Sequence, residues 1–147
     1  MYSNSLSATQ PLPATASALV LPQAHCQVRA GFPSPAEDLG GERLDISRIL
    51  VEHPHATYLL RVAGPSMQEH GIDDGDLIVV DRSIRARHGH IVVATVDGEF
   101  TVKFLHSAAG SIRLKAGNPT YPDIVPTDGQ TLEIWGVVNS CIKRFNR

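Results

Sequence analysis

The chain is short of several things that would otherwise suggest a function. Of its 147 residues only two are cysteine, Cys26 and Cys141. Neither forms a CxxC pair, so a disulfide framework is excluded and free thiols in a reducing compartment are expected. No stretch approaches the roughly 18–20 apolar residues needed to cross a bilayer. The first 28 residues hold no lysine or arginine, so the basic start of a secretory signal is missing and a cytoplasmic protein is expected. Excess positive charge is also absent. The net charge is −2, which argues against direct binding of nucleic acid, because phosphate contacts need a basic face. The basic run Lys143-Arg144-Phe145-Asn146-Arg147 is short and reads as a solvated tail. There is no Gly-rich phosphate loop and no HExxH motif. His88-Gly89-His90 has no third ligand at helpful spacing, so neither a metal nor a cofactor is implied.

What is present is a single domain's worth of core. Apolar residues make up 42% and charged residues 19%, proportions that fit a packed fold. Residues 1–44 read as a flexible N-terminal arm, and 45–147 as the folded domain. The arm is rich in Ser, Thr, Ala, Pro and Gln and lacks helical or strand periodicity, apart from a short extended piece around Leu19 to Leu21. Asp45 to Leu50 reads as a short helix, with Asp45 as N-cap and Ile46, Ile49 and Leu50 at i, i+3, i+4 spacing. Strands are expected at 56–63, 76–81, 91–96, 99–105, 111–116 and 131–142. The nearly continuous apolar run at 76–81 reads as a central strand. Asp97-Gly98 is a strong hairpin signal. Short strands with frequent turns predict a mostly β, antiparallel fold with one short helix.

Two residues carry chemistry. Ser66 lies in the tight turn Gly64-Pro65-Ser66-Met67, where Gly64 permits a sharp bend. Lys103 lies on a strand whose alternate positions, Phe100, Val102 and Phe104, are apolar and expected to form the core face. The chain has only three lysines, and Lys103 is the one flanked by apolar residues on both sides. An exposed lysine titrates near 10.4 and is protonated at neutral pH. Burial lowers that value and frees a neutral amine to act as a general base toward a serine. Arginine does not deprotonate and cannot substitute. Turn N–H groups would stabilise an oxyanion. A turn serine and an exposed strand lysine with no chemistry are the competing reading, and a Ser-His-Asp site drawn from the seven histidines stays open.

A set of motifs goes further. Ala30-Gly31-Phe32-Pro33, Gly64-Pro65-Ser66-Met67, Gly75-Asp76-Leu77, Asp97-Gly98-Glu99-Phe100-Thr101-Val102-Lys103 and Gly136-Val137-Val138 resemble the UmuD proteins, which belong to the LexA-type self-cleaving serine peptidases. The resemblance covers residues 28 to 143. It implies a LexA-type peptidase fold of twisted antiparallel sheets that forms a homodimer. In that fold Ser66 would be nucleophile, Lys103 general base and Ala30-Gly31 the bond cut. It implies stimulation by a RecA filament on single-stranded DNA, and a trimmed product that joins a Y-family translesion polymerase in the SOS response. Residues 1–44 show no helix-turn-helix, so a repressor role is not expected. Many relatives carry Cys-Gly at the cut, and Ala30-Gly31 is a competent variant. Pro65 stands where the residue before the nucleophile would offer an N–H, and it has none. A non-catalytic dimeric β adaptor for the same partners is the alternative. A leader peptidase would need a membrane anchor, and a phage-type repressor would need a DNA-binding domain before residue 45.

Overall fold

A computed structural model describes residues 18–24, 28, 30–31, 41–127 and 130–146. Cys26 and the proline-fixed segment after Gly31 lie outside them.

The elements in chain order are β1 (Val20–Pro22), β2 (Arg43–Asp45), α1 (Ile46–Leu50), β3 (Thr57–Arg61), β4 (Leu77–Asp81), β5 (Ile91–Val96), β6 (Glu99–Ala108), β7 (Ser111–Lys115) and β8 (Leu132–Ile142). The fold is mostly β, with antiparallel sheets and one short α-helix among the described residues. β3 to β8 form a six-stranded sheet in the order β3-β4-β8-β5-β6-β7. Asp97 (φ 50°) and Gly98 (φ 85°) are both left-handed, which the tight β5–β6 hairpin requires. Asp45 caps α1 by accepting the Ser47 N–H at 3.0 Å.

The extended piece around Leu19 to Leu21 is β1. It pairs antiparallel with β2 in a separate two-stranded ribbon, and the 44/45 division falls inside β2. Leu19 N–H reaches the Asp45 carboxylate, and Ile46 N–H reaches the Leu19 carbonyl at 2.7 Å.

β4 is an interior strand, as its apolar run predicts, paired with β3 on one side and with the last strand, β8, on the other. Ile78, Val79 and Val80 are fully buried, covered on both faces of the sheet. One expectation needs correction: the aromatic face of β6 is not its more buried side. Phe100 is 45% exposed near the hairpin tip, whereas Lys103 and Leu105 are buried. The reason is that the sheet has a core on each face. One core gathers Val62, Met67, Ile72, Ile78, Val80 and Val93, with Val102 and Phe104 against it. The other gathers Val92, Ala94, Leu105, Leu114 and Val137. Alternation along β6 therefore feeds both cores, and neither face is left to solvent.

Candidate active site

The loop from β3 to β4 presents Ser66. Its neck is closed by Val62 N–H to the Asp76 carbonyl and Gly75 N–H to the Val62 carbonyl, both 2.8 Å. Asp76 is buried there, accepting the Asp73 N–H and pairing with the Lys143 ammonium, which first among several contacts holds its carboxyl below the usual range. Met67 and Ile72 anchor the loop in the first core. Gly64 has φ +89°, a conformation side chains resist, and its N–H is held by Asp74 at 2.7 Å. The chain thus turns sharply just before Ser66.

Lys103 arrives from β6. Its Nζ lies 3.2 Å from Ser66 Oγ, 2.9 Å from Thr101 Oγ1 and 3.0 Å from the Val102 carbonyl oxygen. The residue is only 7% exposed. Among the described residues no carboxylate pairs with it, and burial lowers its pKa from the ordinary lysine value. A cleft of about 220 Å³ opens beside the pair, lined by Leu60 to Ala63, Ser66, Ile78, Val93 and Phe100 to Val102. Its walls mix apolar side chains with the polar groups of Arg61, Thr101 and the serine. Ala30 and Gly31 are exposed, and a Cβ built on Gly31 meets no atom within 4 Å, so that bond is not packed into the cleft.

The S24-like peptidase model matches residues 22–139 of this chain. Protein MucA of Salmonella typhimurium is 45% identical over 114 residues, covering 76% of this chain and 77% of that protein. Protein ImpA of Shigella flexneri is 41% identical over 120 residues, 81% of this chain and 79% of that one. The LexA repressor of Paracidovorax citrulli is 40% identical over 117 residues, 80% of this chain but 52% of the repressor. The chain belongs to the S24-like peptidase family. Within it, the chain is a UmuD-like member of the LexA/UmuD group. That likeness supports an SOS-mutagenesis-related S24 protein of the serine-peptidase kind.

For this S24 chain, motif reading singled out Gly64, Pro65, Ser66, Met67 and Lys103, and the fold gathers all five around the cleft or its supporting turn. It passed over Thr101, although a residue two before Lys103 on one strand shares its face. It also passed over Gly117 and Asn118. Gly117 N–H donates to the Ser66 carbonyl at 2.7 Å, and Asn118 Nδ2 donates to the Pro65 carbonyl at 3.0 Å.

No described histidine is hydrogen-bonded to Ser66 or Lys103, although His70 lies in the same loop with its ring stacked on Phe104 at 5.2 Å. His88 Nδ1 accepts the Ser107 N–H, and His90 Nδ1 accepts the Arg87 N–H. His53 Nδ1 lies 2.6 Å from the carboxylate of buried Asp81. That bond raises the imidazole pKa. Burial pushes Asp81 up, but the Ser83 hydroxyl and His53 together hold it below the ordinary range. No helix among the described residues is long and apolar enough to cross a membrane.

Proposed function

We propose that the chain cleaves its own Ala30-Gly31 bond with Ser66 as nucleophile and Lys103 as general base. The observation that carries this reading is the 3.2 Å contact between Ser66 Oγ and a buried lysine amine without a carboxylate partner.

The hydrogen-bond inventory of the amine favours the role. A neutral amine has two N–H donors and one lone pair. The Val102 carbonyl can only accept, so it takes one N–H. Thr101 Oγ1 takes the second, and the lone pair is left for the Ser66 hydroxyl proton. Ser66 Oγ passes its proton to Lys103 Nζ and attacks the Ala30 carbonyl carbon. The tetrahedral oxyanion collapses, and the Gly31 nitrogen leaves with the proton returned from Lys103. Water, deprotonated by the same amine, then frees Ala30 from Ser66.

The small residues of the bond let its backbone approach the serine closely. Because bond and catalyst share one chain, effective molarity reaches about 10⁵ M or more once they are aligned. Control then lies in how often the arm occupies the cleft, which is exposed and empty of Gly31 here. By the UmuD likeness, a RecA filament on single-stranded DNA raises that occupancy. The trimmed homodimer then serves a Y-family translesion polymerase in the cytoplasm, without gripping DNA itself. Pro65, lacking an N–H, favours the rival reading of a non-catalytic adaptor.

The test is incubation with RecA, ATP and single-stranded DNA, read by gel and intact mass. Wild type yields 1–30 and 31–147. Ser66→Ala, Lys103→Ala and Lys103→Arg stay whole while folding normally. Continued cutting at Ala30-Gly31 by Ser66→Ala refutes the assignment, and an uncut wild type leaves the adaptor.

A further inference from the structure

A catalytic serine needs a donor set for the oxyanion, and Pro65 has no N–H to contribute. The turn solves this through its carbonyls. The Pro65 carbonyl accepts from Asn118 Nδ2 at 3.0 Å and, more weakly, from Gln68 N–H at 3.4 Å. The Ser66 carbonyl accepts from Gly117 N–H at 2.7 Å. Asn118 is buried, and its amide orientation is settled by its other end. Its Oδ1 accepts both the Thr120 N–H at 3.1 Å and the Thr120 hydroxyl at 2.8 Å, so Nδ2 must face Pro65. In a trans peptide the C=O and the following N–H point in opposite directions. Fixing the Pro65 carbonyl on Asn118 therefore aims the Ser66 N–H away from Asn118. Fixing the Ser66 carbonyl on Gly117 aims the Met67 N–H away from Gly117. Among the described residues neither N–H has a hydrogen-bond partner.

We propose that Gly117 and Asn118 are positioning residues, holding the nucleophile turn so that the Ser66 and Met67 N–H groups receive the oxyanion in place of the donor missing at Pro65. The proposal rests on the self-cleavage reading and deepens it. Glycine at 117 lets this brace seat closely, because a larger side chain would crowd the turn. An added Cβ would lie 3.2 Å from Met67 Cα and 3.3 Å from its carbonyl carbon, both backbone atoms, and 2.5 Å from His70 Cδ2.

The test uses Asn118→Leu and Gly117→Ala in the full chain, with self-cleavage followed as a first-order rate against pH and thermal unfolding measured alongside. Asn118→Leu is close to asparagine in size and adds no charge, but it removes the donor to the Pro65 carbonyl and the acceptor for Thr120. The expected result is a plateau rate lowered about 10- to 100-fold, the scale of a misaligned oxyanion donor. The pH midpoint, set by Lys103, stays put in both variants. Unchanged plateau rates overturn the brace. A displaced midpoint also overturns it, since these residues would then act through the lysine. Should a variant unfold, the other carries the test by the same two readouts. Cutting that persists in Ser66→Ala refutes the self-cleavage reading itself, a result distinct from either outcome above.

Discussion

Thr101→Val removes one hydroxyl and little else. The side chain keeps its shape, and valine is at home in a strand. What disappears is the 2.9 Å contact from Lys103 Nζ. In wild type, Thr101 and the Val102 carbonyl together fix both N–H bonds of the neutral amine and so aim its lone pair at Ser66. With only Val102 left, the amine rotates about one remaining bond, and the lone pair points at Ser66 for a smaller share of the time. A neutral hydrogen bond of this kind contributes about 0.5–1.5 kcal/mol net. At about 1.4 kcal/mol per factor of ten, the self-cleavage rate should fall about two- to tenfold. Thr101→Ser should recover most of it. The assay is the first-order loss of intact chain at a pH on the plateau, with unfolding temperature as a control. A Thr101→Val rate equal to wild type would show that the lysine needs no such anchor, and the account of its alignment would fail.

Three further outcomes follow from the same structure. Because the Asp81 contact raises the His53 pKa, His53 stabilises the fold fully below its unfolded value of about 6.5, and the contribution fades as pH rises through the folded value. The denaturant midpoint of wild type over His53→Ala should therefore differ most in mild acid; a gap that widens with pH contradicts the pairing. Ile78→Ala, at a fully buried core position, should cost about 2–5 kcal/mol by equilibrium unfolding, and a loss under 1 kcal/mol would mean the site collapses freely. β1 has only three residues, all exposed, so cutting the chain between it and β2 should let residues 1–30 separate from 31–147 on native size exclusion. Co-elution at micromolar concentration would show that the ribbon holds without its covalent loop.

Much of the sheet was legible because its signals are local. Asp97-Gly98 names its own turn, and Asp45 names its own cap. Strand ends moved by only a residue or two, except at β6, which runs on to Ala108. The order of strands was not legible. β8 lies between β4 and β5, and no periodicity within Leu132–Ile142 reveals which neighbours it will have. The facing of β6 misled because alternation tells that two sides exist, not that both will be covered. At the site, Ser66 and Lys103 stood out through their motif, and Thr101 was within reach of the same alternation argument. Asn118 was not. Its contact with Pro65 joins the end of β7 to a loop far earlier in the chain, and only the folded sheet brings them together. The pairing of His53 with Asp81 was likewise not legible, because the two lie 28 residues apart and only the folded sheet joins them.

The central claim is that an uncharged Lys103 amine takes the proton from Ser66. It is tested most directly by the self-cleavage rate as a function of pH, with intact mass locating the cut. The account predicts a rate that rises with pH and levels off below the ordinary lysine value of about 10.4, since burial depresses this group, with the break between Ala30 and Gly31. A rate independent of pH, or a break at another bond, would contradict it.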